Sequence, residues 1–251
     1  MERPFVPGGG PYWATSAASI AAIARVDADV ARRAFATGRG IALASRTGSG
    51  WQGAVAGRAW ASLGAFESDL ESRAIGPGVR IAMYDPERWR HTPIGEQQDP
   101  IRSIRRFVRL ARGNGYLSMV TPHPRLVTVD GARCAMRAGE TEEAAYVRSR
   151  ITIEAAAADV VETQAQRSQR DPDAYRRFVA LTAEQARRAK PDVVVLSGLS
   201  TSPGYPATPE MLFEAWESVR DVVDGHYISL SKGRHPEVMA AFLRMTLEPS
   251  A

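Results

Sequence analysis

The stretch VRIAMYDPERWRHTPIGEQQDPIRSIRRFVRLARGNGYLSMVT, from Val79 to Thr121, holds one complete unit of the fold. Val79–Asp85 is a short apolar run, a polar loop ends at Asp99-Pro100, Ile101–Arg112 has helical spacing, and Tyr116–Thr121 is apolar again. Ile101, Ile104, Phe107, Val108 and Ala111 share one face of the helix, and Arg102, Arg105, Arg106, Arg109 and Arg112 share the other. Such a helix packs its apolar side on a sheet and turns its arginines to solvent. A strand that returns through a helix of this length reaches a parallel neighbour, because parallel strands need a crossover.

The same plan recurs in both directions. Ile41–Ser45, Ala158–Gln164, Asp192–Leu199 and His226–Leu230 are further strand candidates, each followed by a helical pattern. Asp171-Pro172, Thr208-Pro209 and His235-Pro236 repeat the helix start of Asp99-Pro100, with Pro where its missing N–H costs nothing. These runs predict a TIM-like (β/α) barrel as a single domain over residues 1–251, with a helical N-terminal segment over about 1–39. Within that segment, helices are expected over Ser16–Val26 and Asp27–Thr37. Two strands of a closed barrel are still to be placed, in the first 75 residues or near Ala132–Ile153, unless the barrel is incomplete. An open doubly wound parallel sheet is the alternative. Its nucleotide-binding signatures, G-x-G-x-x-G and G-x-x-x-x-G-K-[ST], do not occur, and the glycines of Thr47-Gly48-Ser49-Gly50 are a weak signal for an anion.

Composition narrows the function classes. The net charge is +4 and the pI is near 9.5, yet Lys190 and Lys232 are the only two lysines among 32 basic residues. That arginine excess reads as the coding bias of a GC-rich genome, so no nucleic-acid partner is expected. Cys134 is the single cysteine, which excludes an intrachain disulfide and fits a reducing cytoplasm. Ala14–Ala24 is short, alanine-rich and lacks a basic lead, so it is expected to be a helix rather than a signal peptide. No apolar run approaches the roughly 18 residues of a membrane span, and no membrane partner is expected. The oligomeric state is left open.

In parallel α/β folds the reactive side chains gather at the carboxyl ends of the strands. Met83-Tyr84-Asp85-Pro86-Glu87-Arg88-Trp89 and the loop through Asp99 are the densest polar and aromatic segment, with Asp85 the first charge after its strand. In Ala158–Gln166, strand alternation puts Glu162, Gln164 and Gln166 on one face and Val161, Thr163 and Ala165 on the other. The apolar face belongs to the helices, so the polar row points into the barrel. Arg46 after the first run is a candidate anion ligand. Thr121 and His123 close the Tyr116–Thr121 strand, Ser197 and Ser200 end Asp192–Leu199, and Tyr227 lies on the last strand. No histidine spacing suggests zinc, and neither serine lies in G-x-S-x-G.

Tyr84–Trp89, Thr92-Pro93, Glu96-Gln97 and Glu162–Gln166 resemble an uncharacterised actinobacterial family distantly similar to (β/α)-barrel glycoside hydrolases, over roughly Ile41–Arg244. The D-x-x-D-x-D-x-E signature of chitinase-type barrels is missing. What the resemblance implies is a barrel with an acidic mouth. Asp85 and Glu162 are then the expected carboxylate pair, with Glu87 able to replace either. The expected function is a hydrolase or lyase of small-molecule metabolism that uses carboxylate acid/base chemistry on a sugar-like substrate, with no cofactor. Tyr84 and Trp89 would stack on the substrate, while Gln164 and Gln166 would bind its hydroxyls, alongside Arg46, His123, Ser197 and Tyr227. One alternative is a Mg²⁺-dependent lyase or cyclase on a diphosphate, with Asp85, Glu87 and Glu162 as oxygen ligands, although D-D-x-x-D is absent. The other is a non-catalytic barrel that binds a small molecule.

Overall fold

The computed structural model describes residues 11–44, 51–201, 207–230 and 234–248. Eight strands close a parallel barrel in chain order: β1 (Tyr12–Ser16), β2 (Gly40–Ala44), β3 (Val55–Trp60), β4 (Ile81–Tyr84), β5 (Leu117–Val120), β6 (Val160–Thr163), β7 (Val194–Ser200) and β8 (Gly225–Ser229). The helices are α1 (Ala17–Val26), α2 (Ala28–Phe35), α3 (Leu63–Glu71), α4 (Ile94–Gln98), α5 (Pro100–Gly113), α6 (Glu142–Ser149), α7 (Ile151–Ala155), α8 (Pro172–Ala189), α9 (Pro209–Val219) and α10 (Pro236–Leu247). β1 pairs with β2 on one side and β8 on the other, which excludes the open sheet. At that seam a Cβ on Gly225 would fall 2.2 Å from the Tyr12 carbonyl oxygen, so only glycine lets the two backbones approach this closely.

The two strands still to be placed both lie in the first 75 residues. In the described part of the segment expected to be helical, β1 comes before the two helices, α1 and α2. No loop separates β1 from α1: Ser16 ends the strand, and its hydroxyl accepts the Ser19 N–H at 3.0 Å as the helix cap. β3 has no apolar run, because Arg58 stands within Val55-Ala56-Gly57-Arg58-Ala59-Trp60. The side chain is nonetheless buried. Its guanidinium donates to the Asp69 carboxylate and to the Ala74 carbonyl at 3.0 Å, and lies 4.8 Å from the Trp60 ring centre. The Trp60 indole N–H donates to the same carboxylate at 2.7 Å.

Contacts gather in two compact units. One comprises the chain up to Gly57, Ala165–Ala180 and the chain from Leu196. There Trp13 of β1 meets Phe242 of α10 edge-on at 6.0 Å, and Arg244 of α10 pairs with Asp27, the cap of α2, at 2.5 Å. The other comprises Arg58–Gln164 and Leu181–Val195. Its aromatic core runs from Trp60 to Phe66 at 4.8 Å, Phe66 to Phe107 at 4.9 Å and Phe107 to Tyr84 at 5.2 Å, so the apolar face of α5 covers the ends of β3 and β4. The opposite face of α5 finishes in surface ion pairs, Arg105 with Glu154 at 2.6 Å and Arg106 with Glu67 at 2.5 Å. Among the described residues no helix is long and apolar enough to cross a membrane.

Removing one partner of the buried Arg58–Asp69 pair strands the other charge. Asp69→Ala should therefore lower the unfolding free energy by about 3–5 kcal/mol, against under about 1 kcal/mol for Glu154→Ala on the surface. Urea titration of both variants checks the contrast.

Candidate active site

β4 ends at Tyr84, and the pleat sends Tyr84 and Asp85 to opposite faces. Tyr84 goes to the helices. Its ring is fully buried beside Phe107, and its hydroxyl donates to Glu96 Oε2 at 2.7 Å. Glu96 also accepts the Leu63 N–H at 2.8 Å and the Ser62 hydroxyl at 3.1 Å, which sets a carboxylate on the amino end of α3. The expectation that Tyr84 stacks on a substrate is thus corrected: it belongs to the core, and Glu96 to its anchoring.

Asp85 goes to the other face. Its N–H continues the ladder to the Trp60 carbonyl at 2.9 Å, and its Oδ1 accepts the Thr121 hydroxyl at 2.7 Å and the Gln164 amide at 3.0 Å. The same amide donates to the Thr121 carbonyl at 2.7 Å. On β6 the Thr163 hydroxyl meets that of Thr182 on α8 at 2.8 Å, so Glu162 and Gln164 face away from the helix. Gln166 does not extend this row, because β6 stops at Thr163 and Gln166 sits in the turn beyond.

Glu87, two residues on from Asp85, feels the charge of that carboxyl. Burial pushes the Asp85 carboxyl up to about 6, although hydrogen bonds from Thr121 and Gln164 favour its ionised form. Burial, and then the Asp85 charge, push Glu87 up to about 7 against a hydrogen bond to Gln164. Glu162 lies two residues before Gln164 at 1% exposure, and burial, with Glu162 adding to it, raises the Tyr146 phenol, whose hydroxyl donates to the Pro122 carbonyl at 3.2 Å. Beside the expected pairing of Asp85 with Glu162 stands a second one, within Asp85-Pro86-Glu87, where the Asp85 charge reaches Glu87.

The loop beyond Glu87 is built on Thr92, at 1% exposure. Its hydroxyl donates to the Ala61 carbonyl at 2.7 Å and accepts the Glu87 N–H at 3.2 Å and the Trp89 indole N–H at 2.9 Å. The Gln97 amide holds the carbonyls of Trp89 at 2.8 Å and Thr92 at 2.6 Å. Trp89 keeps 40% exposure with its polar atom satisfied, and His91 stands edge-on at 4.9 Å. Sequence reasoning singled out Trp89 but missed the parts of Thr92 and Gln97, whose side chains are as polar as any loop residue's.

The remaining candidates separate from this cluster. His123 caps the 3-10 turn Pro124–Thr128, its Nδ1 accepting the Arg125 N–H at 3.0 Å. Ser197 is mid-strand and fully buried, bonded to His226 Nδ1 at 2.9 Å, and burial holds that imidazole down to about 3. A substrate-binding role for Ser197 is corrected, because its side chain is fully enclosed within the strand. Tyr227, between His226 and Ile228 on β8, lies on the face opposite His226. Arg46 lies outside the described residues. Among the described residues no three His, Cys, Asp or Glu side chains converge as a metal-holding group.

Neither a protein-family model nor a curated protein matches the chain. Solved structures do. An archaeal fructose-1,6-bisphosphate aldolase superimposes with a TM-score of 0.52 at 15% identity, covering 95% of this chain and 94% of that one. The catalytic domain of a family GH18 chitinase from the fern Peteris ryukyuensis gives 0.48 at 15% identity, covering 84% and 73%. The closed eight-stranded barrel and the aldolase superposition give this chain the TIM-barrel fold.

A carboxyl held above its unfolded value binds its proton more tightly in the folded state. Stability from this source is present at low pH and is lost as pH rises from about 4.5 through about 7. Glu87→Gln removes the loss. At pH 8 it should be more stable than the parent by about 1–2 kcal/mol, and at pH 4 by nothing measurable in paired urea titrations.

Proposed function

We propose that this barrel is an enzyme that cleaves a bond in a sugar-like small molecule by carboxyl acid/base chemistry, as a hydrolase or lyase. The observation that carries the reading is the Asp85–Glu87 pair at the end of β4, two half-buried carboxyls both raised toward neutrality, with Gln164 donating to Asp85. A parallel barrel concentrates its chemistry at that end of its strands. Environments that push two carboxyls apart assign their roles. Asp85, which accepts two hydrogen bonds, is the base, and Glu87, raised further and with the Asp85 charge beside it, is the acid.

In hydrolysis the Glu87 proton goes to the leaving oxygen as its bond to carbon breaks, and Asp85 takes a proton from the attacking water. In the lyase version Asp85 takes the proton from the neighbouring carbon instead. Either way Glu87 ends ionised and Asp85 protonated, and transfer between the two restores the pair. Gln164 orients Asp85, Trp89 offers a ring surface beside the acid, and Glu162 lies deeper along β6. The reading places the protein in the cytoplasm with a small molecule as its partner.

The test is hydrolysis of a panel of 4-nitrophenyl glycosides by the full-length protein. Asp85→Asn and Glu87→Gln should each lower kcat by about 10² or more, since positioned proton transfer contributes about 10²–10⁴. Parent kcat/KM should fall on both sides of an optimum between about pH 6 and 7. EDTA should leave the rate unchanged, whereas the Mg²⁺ and diphosphate alternative requires its loss. Parent turnover in both variants would remove the carboxyl mechanism, and no turnover by the parent on any probe would leave the barrel a binding module.

A further inference from the structure

The acid and the exposed tryptophan of the β4 loop are held by the same atom. Thr92 Oγ1 accepts the Glu87 N–H at 3.2 Å and the Trp89 indole N–H at 2.9 Å, and donates to the Ala61 carbonyl at 2.7 Å. A hydroxyl has one proton and two lone pairs, so its whole capacity is used. Ala61 directly follows β3, and the adjacent Trp60 carbonyl already takes the Asp85 N–H. The loop is thus tied to one strand end at Asp85 and again at Thr92.

Between these ties the chain is short and stiff. Pro86 fixes its own φ, the Trp89 N–H closes a three-residue turn on the Glu87 carbonyl at 2.9 Å, and the Gln97 amide clamps the carbonyls of Trp89 and Thr92. Surface loops of this length normally keep such groups in water. Here a buried threonine and a buried glutamine satisfy them, and the result is a wide aromatic face left in solvent two residues from a carboxyl of raised proton affinity. Packing alone does not require the indole N–H to be turned inward, since an exposed tryptophan finds water for it.

The geometry points to Thr92 as a positioning residue that couples the Glu87 carboxyl to the Trp89 ring, so that a ring-shaped substrate stacked on Trp89 meets the acid at one fixed distance. This rests on the acid/base reading of Glu87. The hydroxyl itself touches no substrate. It acts by fixing where the Glu87 side chain leaves the backbone and how the indole is turned.

The experiment compares the full-length parent with Thr92→Val, which keeps the shape and loses the hydroxyl, and Thr92→Ser, which restores it. NMR follows exchange of the Trp89 indole proton with water and titration of the Glu87 side-chain carboxyl carbon, neither of which needs a substrate. In Thr92→Val the indole proton should exchange about tenfold faster, as expected for loss of one net hydrogen bond, and the Glu87 midpoint should move by about half a pH unit or more. Thr92→Ser should restore both. On the glycoside panel Thr92→Val should lower kcat about tenfold with a smaller change in KM, and Thr92→Ser should return it. Parent-like exchange and titration in Thr92→Val would overturn the proposal, as would Thr92→Ser as disturbed as Thr92→Val. If Thr92→Val does not fold, the parent decides: an indole proton exchanging as fast as that of free tryptophan overturns it, and protection with rescue in Thr92→Ser upholds it. Absence of turnover with these NMR results intact would count against the acid/base reading alone.

Discussion

A pleated strand sends neighbouring side chains to opposite faces, and at the end of β4 this one constraint divides the molecule's two tasks. Tyr84 turns to the helices, where it joins Phe107 and Phe66 and reaches Glu96 on the amino end of α3. Asp85 turns inward, to Thr121 and Gln164. The same alternation on β6 gives Thr163 to α8 and Gln164 to Asp85. Since the tyrosine cannot leave the core without taking the backbone along, the packing of α5 also fixes where the Asp85–Glu87 segment begins.

The parts of the fold visible in the sequence were those whose burial is written in side-chain type. β4, β5 and β6 lie inside, and β2, β7 and β8 overlap, the mainly apolar runs of the sequence, because strands covered by helices outside and filled barrel within have little use for polar residues. β1 was hidden because it enters α1 with no loop, so Tyr12-Trp13-Ala14-Thr15-Ser16 merges into an alanine-rich helix. β3 was hidden by Arg58, a charge whose partner, Asp69, comes eleven residues later in α3. No pattern of period two contains that pairing.

The site was legible to a similar depth. Carboxylates and amides directly after apolar runs are costly unless they are used, and Asp85, Glu87, Glu162 and Gln164 stood out on that ground. Which of them meet was not legible, since it depends on where each strand stops. β6 stops at Thr163, which leaves Glu162 enclosed and brings Gln164 to Asp85. Tyr84 was misjudged by treating the loop as a block, although the alternation used for residues 161–164 applies equally to 84 and 85. Ser197 was misjudged because β7 runs on to Ser200, which places a residue that looked terminal in the middle of the strand.

Trp89 also gives the molecule an optical reporter. Trp13 and Trp60 are at 2% and 5% exposure, and Trp51 and Trp216 are partly covered, whereas Trp89 is at 40%. A collisional quencher in solution meets Trp89 first, and the light it removes comes preferentially from the loop that carries Glu87. Because the indole is anchored through its own N–H, its emission follows the loop rather than the free rotation of a side chain. Red-edge fluorescence of the unlabelled protein therefore registers the opening or occupancy of this one wall of the barrel.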